Sequence, residues 1–128
     1  MTRIVQSLFS IALLGVLTAC SRSHPPTTPH AADRLIATNR YRESVSITLA
    51  GPEAVRIAKA VASSTEDPTP YADVKDCEIQ FYSGTNLFRV IYVQDRVFLL
   101  GATQYSDSSG VLAAFYAKWQ TDGFRPAQ

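Results

Sequence analysis

The chain has 128 residues, 46% of them hydrophobic and 18% charged, and carries a formal charge of +1. That length leaves room for one domain, and the composition is globular rather than low-complexity or disordered. Arg3 is the only charged side chain before residue 20, so the remainder is balanced, with eleven charges of each sign. This balance gives no electrostatic reason to expect nucleic acid or anionic headgroups as the main partner.

The first predicted element is an export signal. Met1-Thr2-Arg3 is a short positive region, Leu8 to Leu17 is an apolar stretch, and Leu17-Thr18-Ala19-Cys20 closes it. That architecture is a secretory signal peptide over residues 1–19. The apolar stretch is too short, and too broken by Gln6, Ser7 and Ser10, for a membrane-spanning helix of about 20 apolar residues. The closing tetrapeptide resembles the lipobox of bacterial lipoproteins, with a large residue at −3, a small one at −1 and cysteine at +1. The resemblance implies that the thiol of Cys20 receives a diacylglycerol, that cleavage falls before it, and that the new amine is acylated. It further implies an outer-membrane location facing the periplasm, because Ser21 is not the aspartate associated with inner-membrane retention. Two or more acyl chains on Cys20 make a firm anchor, at about 0.8 kcal/mol per buried methylene.

Residues 20–32 follow as a lipidated cysteine and a flexible tether. Ser21 to Ala32 reads SRSHPPTTPHAA, and three prolines in twelve residues favour an extended polyproline conformation. At about 3.1 Å per residue it reaches on the order of 35 Å, enough to stand a domain off the bilayer. Both histidines, His24 and His30, lie in this stretch. Two ligands on a flexible segment make a poor metal site, so no metal and no cofactor are expected.

Residues 33–128 read as an α+β domain. Asp33 to Arg42 begins either as a capped helical turn or as extended chain. Ser44 to Leu49 alternates, with Val45, Ile47 and Leu49 on one side, and predicts a half-buried strand. Gly51-Pro52-Glu53 opens a helix of about three turns, with proline at a first helical position. Its apolar face is Ala54, Val55, Ile57, Ala58, Val61 and Ala62. Residues 63–76 form a loop containing Pro68 and Pro70. A meander follows: strands over 78–82, 87–93 and 97–103, joined by turns at 83–86 and 94–96. Gly101, inside the third strand, suggests a bulge or close packing. Ser106 to Ser109 offers helix caps, and Val111, Leu112, Phe115 and Trp119 recur at helical spacing before Gly123. The order β-α-β-β-β-α predicts a small two-layer domain, an antiparallel sheet with helices on one face.

Residues 33–128 contain no histidine, which weakens Ser-His, Cys-His and His-metal chemistry together. Cys77 has no second thiol once Cys20 is lipidated; it is a small buried residue at a strand start, a reactive thiol or one half of an intermolecular disulfide. Asp73, Asp76 and Glu78 surround it, an acidic cluster that could serve a small hydrolase or a ligand site, or form a solvated loop. The second hairpin is apolar on both sides: Phe88, Val90 and Tyr92 oppose Leu87, Ile91 and Val93 with Arg89 among them, and Phe98 stands in the neighbouring strand. An antiparallel sheet with helices on one face usually leaves the other polar. The Leu35–Tyr41 segment, the proline loop or another protein would have to cover the second face. Phe88, Tyr92 and Phe98 are therefore the candidate partner-binding residues. The expected function is non-enzymatic: a lipid-anchored domain that binds another envelope protein, as an accessory subunit or an immunity-type inhibitor. The alternatives are a small hydrolase or ligand-binding lipoprotein using the acidic cluster, or a purely structural lipoprotein.

Overall fold

The computed structural model describes residues 23–42, 46–70 and 74–123. The lipobox with Cys20, Val45 in the first predicted strand and Asp73 of the acidic cluster lie outside the described residues. Within them the domain is α+β. One antiparallel sheet contains β1 (Arg34–Asn39), β2 (Ile47–Ala50), β3 (Thr65–Glu66), β4 (Cys77–Ser83), β5 (Asn86–Gln94), β6 (Val97–Leu100) and β7 (Thr103–Ser106). Helices α1 (Pro52–Ser63) and α2 (Val111–Gly123) complete the described elements. The strand order is β2-β1-β4-β5-β6-β7-β3, so α1 carries the chain from one edge of the sheet to the other.

The alternation of side chains decides which face the helices cover. Leu35 and Ala37 of β1, Cys77, Ile79 and Phe81 of β4, Ile91 and Val93 of β5, and Phe98 of β6 are all buried. The cross-strand register puts them on one side: Leu35 opposite Phe81, Ala37 opposite Ile79, Cys77 opposite Val93, and Val93 opposite Phe98. Ala54, Ile57 and Val61 of α1, and Leu112, Phe115 and Trp119 of α2, close this face.

Both helix starts follow from local chemistry. Gly51 adopts φ 63°, a region that costs an L-residue about 1 kcal/mol or more, and Pro52 takes the first helical position. Asp107 reaches over the start of α2, where its carboxylate accepts the Ser109 N–H at 3.0 Å and the Leu112 N–H at 3.0 Å. It is buried and so substitutes for water at the otherwise unpaired helix donors.

One open expectation is settled and three resolve differently. Asp33 to Arg42, where the sequence allows a helical turn or extended chain, is extended, with strand over Arg34–Asn39: Asp33 donates its N–H to Tyr82 O at 3.0 Å and accepts the Gly84 N–H at 2.8 Å, which pins the chain to the β4–β5 turn. The third meander strand is two strands. Gly101, at φ 62°, opens a two-residue turn between Leu100 and Thr103, and a Cβ there would meet nothing within 4 Å. Its role is thus backbone conformation, not close packing. Thr65 and Glu66, within the predicted loop, pair with Ser106 and Tyr105 as an edge strand.

The last of these is the proline-rich stretch. Residues 23–32, expected to be a free tether, lie along the domain. The Glu66 N–H donates to Ser23 O at 2.9 Å, and the Ser23 hydroxyl donates to the Glu66 carboxylate. His24 Nδ1 lies 2.9 Å from Ser64 O, an Arg89 N–H donates to Pro26 O, and the His30 ring sits 5.6 Å from that of Phe88. Pro25 and Ala32 are buried. Prolines suit this task because they hold an extended backbone at little further entropic cost.

Candidate functional site

The acidic cluster does not converge. Asp76 accepts the Tyr116 hydroxyl at 2.8 Å, beneath α2. Cys77, wholly buried, points into the core. Glu78, next along the strand, turns to the opposite face and accepts the Gln80 side-chain amide at 3.0 Å. The pleat separates neighbours in this way whenever they lie within a strand. Burial pushes the Cys77 thiol well above its ordinary value, with Asp76 and Glu78 adding to the rise. The thiolate that reactivity requires is therefore disfavoured. Burial, and then the bond to Asp76, likewise raise the Tyr116 phenol. Among the described residues, no three His, Cys, Asp or Glu side chains gather to hold a metal ion.

The three predicted partner-binding residues are also not brought together. Phe98 is fully buried on the helix side and offers no contact surface. Phe88 is half-buried on that side as well, 6.4 Å from the Phe81 ring. The cause is a register shift: Phe81 pairs with Arg89 while Tyr82 pairs with Leu87, so Phe88 is an extra residue in β5 and a simple alternation misplaces it. Tyr92 alone stands on the outer face.

That outer face has its own construction. Arg40, just after β1, lays its guanidinium 3.9 Å from the Tyr92 ring centroid and donates to Lys75 O at 3.2 Å. Arg34 lies 4.5 Å over Tyr82, whose hydroxyl donates to Gln80 Oε1 at 2.9 Å. At the other end the proline loop closes over Gln104, whose amide donates to Thr69 O at 2.9 Å. Two of the three covers considered from sequence therefore contribute at the ends. The middle, where Ile36, Gln80 and Val90 stand in register, has no described helix across it.

On the helix side, a groove of about 490 Å³ runs between the proline-rich segment, α1 and the β4–β5 pair. It explains why the apolar stripe of α1 is wider than the core needs. Ala54, Ile57 and Val61 are buried, while Val55, Ala58 and Ala62 turn toward this groove. Lys59 and Arg89 also line it. The sequence pattern places Arg89 on this side of the strand without giving it a role. Its signal was present as a cation on the otherwise apolar side Leu87, Ile91 and Val93. No helix among the described residues is long and apolar enough to cross a membrane.

Comparison with protein-family models, with curated proteins and with solved structures gives no match.

Proposed function

We propose that the chain is a lipid-anchored bacterial envelope protein, held to the outer membrane through Cys20, whose domain binds another envelope protein through the middle of its outer sheet face. The observation that carries the anchor is the tetrapeptide Leu17-Thr18-Ala19-Cys20 behind an apolar signal stretch. The binding surface is the strip formed by Ile36, Val90 and Leu99 beside Tyr92, all partly exposed. It replaces the Phe88, Tyr92 and Phe98 set. Partly apolar strips framed by arginine and tyrosine suit protein contacts, since those side chains give large contact area with a polar end. The hydrolase reading needed the acidic side chains to meet at a pocket, and its described members do not.

Metabolic labelling with a radioactive fatty acid tests the anchor: the wild-type chain takes up label and Cys20→Ser does not. Label retained by Cys20→Ser would end the lipoprotein reading. A photo-crosslinking residue in place of Val90 tests the surface in native membranes, with one in place of exposed Lys118 on α2 as control. One discrete adduct from position 90 alone is expected. Equal yields from both positions would remove the outer face as the docking surface.

A further inference from the structure

The groove under the proline-rich segment combines three properties that seldom coincide by packing alone. Its walls are mainly apolar: Val55, Ala58 and Ala62 from α1, Phe81 and Phe88 from the sheet, and Pro25 above, with Thr27 and Thr28 beside it. Its volume of about 490 Å³ falls within the range of roughly 300–1,000 Å³ typical of small-molecule sites. Its charges are all of one sign, since Lys59 and Arg89 line it and no carboxylate does.

Arg89 is the informative member. It is half-buried, and among the described residues its guanidinium gives one hydrogen bond, to the carbonyl of Pro26. A guanidinium has five N–H donors and cannot shed its charge, so one carbonyl leaves most of its capacity unused. Burial works against its charged form, and the side chain that eases this is Tyr105, not a carboxylate. Partly desolvated cations are normally paired with an anion. Lys59, exposed on α1, brings a second cation to the same groove.

An apolar body ending in a single anionic group satisfies both the walls and the cations. We propose that this groove binds a long-chain fatty acid, with its alkyl chain along Val55, Ala58 and Ala62 and its carboxylate received by Arg89 and Lys59. The inference rests on the described residues and does not require the lipid on Cys20. Ser23 is three residues from Cys20, and three residues span at most about 11 Å. The chain's own acyl groups are thus the rival occupant that the test must separate.

The test uses the full chain in its native membranes and a palmitic acid analogue carrying a diazirine on its alkyl chain, followed by digestion and mass spectrometry. Adducts are expected on the peptides containing residues 55–62 and 88. Unlabelled palmitate should compete, and hexadecanol should compete roughly tenfold less well or worse, as loss of a charge-assisted hydrogen bond implies. Arg89→Gln should lower labelling by a similar factor, and Arg89→Lys should restore most of it. Ala62→Trp, at an exposed wall position, should abolish labelling while leaving the thermal unfolding curve unchanged, which separates a filled groove from a damaged fold. Cys20→Ser should label as wild type does. Labelling that appears only in Cys20→Ser would mean that the anchor's own chain fills the groove, and would overturn the free-ligand assignment. So would adducts spread evenly over surface peptides, or equal competition by hexadecanol. Failure here leaves fatty-acid incorporation at Cys20 to be read on its own, so the two readings can fall separately.

Discussion

The two faces of the sheet are built from the same strands by different means. On β4, Cys77, Ile79 and Phe81 point to the helices and are sealed by Trp119, Ile57 and Leu112. Their neighbours Glu78, Gln80 and Tyr82 form a line of side-chain hydrogen bonds along the outer face, with Tyr82 donating to Gln80 and Gln80 to Glu78. The helix face excludes water by close packing, whereas the outer face manages its aromatic surface with arginines, Arg34 on Tyr82 and Arg40 on Tyr92. A cation over a ring keeps its charge in water while covering apolar area, for about 0.5–1 kcal/mol at an exposed site. An apolar look on both sides of a strand therefore does not imply burial on both sides.

The largest effect should come from breaking the sealed face. Trp119→Ala should cost about 3–5 kcal/mol, since the indole is fully buried and its removal leaves a cavity. Val90→Thr on the outer face should stay within about 0.5 kcal/mol. Urea unfolding of both variants measures the contrast, and comparable losses would mean that the outer face is packed like a core.

The helix face should also show itself in alkaline solution. The Cys77 thiol is raised in the folded state above its ordinary value of 9.0, so the folded chain holds that proton more tightly than the unfolded chain. The stabilising contribution is complete below about pH 9 and declines as pH rises, because the unfolded thiol ionises first, by about 1.4 kcal/mol per pH unit. Tyr116 adds a similar decline from its ordinary value of 10.0 upward. Urea midpoints measured from pH 8 to 11 should fall for the wild type and fall less steeply for Cys77→Ala. An identical pH slope would place Cys77 in contact with water.

Much of this layout is legible in the residues. Proline at position 52 after Gly51, and the turns around Gly84 and Asp95, mark α1 and the meander because each carries a backbone constraint local enough to read. The faces were harder. A single extra residue, Phe88, changes which side β5 presents, and a bulge leaves no mark in an alternating apolar run. The edge strand Thr65–Glu66 is two residues long and depends wholly on its partner β7. The docked proline segment was missed for a related reason: its contacts are to distant positions, Ser64, Glu66 and Arg89, none of which signals a partner locally. The groove followed from that docking and was invisible without it, and only there does the cation Arg89 on an apolar strand side acquire a role.

A smaller effect sharpens the comparison at the edge of the sealed face. Asp107 holds the start of α2, the helix that carries Trp119, through two backbone N–H groups and the Ser109 hydroxyl. Asp107→Ala should cost about 2 kcal/mol, at the upper end for capping residues because the site is buried. Amide exchange should accelerate first in the opening turn of α2. Uniform acceleration across the sheet instead would show that Asp107 acts on the whole core rather than on the helix start.

The smallest predicted effect tests whether the outer line of hydrogen bonds stabilises the fold at all. Tyr82→Phe removes the donor to Gln80 but leaves the ring under Arg34. Tyr82 and Gln80 are only partly buried, so water can replace the lost partner on both sides. The expected loss is under about 0.5 kcal/mol, and the ring's contact with Arg34 should survive. Tyr116→Phe is the matched change on the helix side, where Tyr116 is buried and its hydroxyl is held by Asp76. It should cost about 1.5 kcal/mol or more, because it strips a hydrogen bond from a carboxylate beneath a helix. Removal of one hydroxyl from each face, followed by urea unfolding, thus compares the faces with the chemistry held constant. A loss from Tyr82→Phe equal to that from Tyr116→Phe would mean that the outer line is shielded from water, and that the middle of the sheet is not the open surface proposed for a partner.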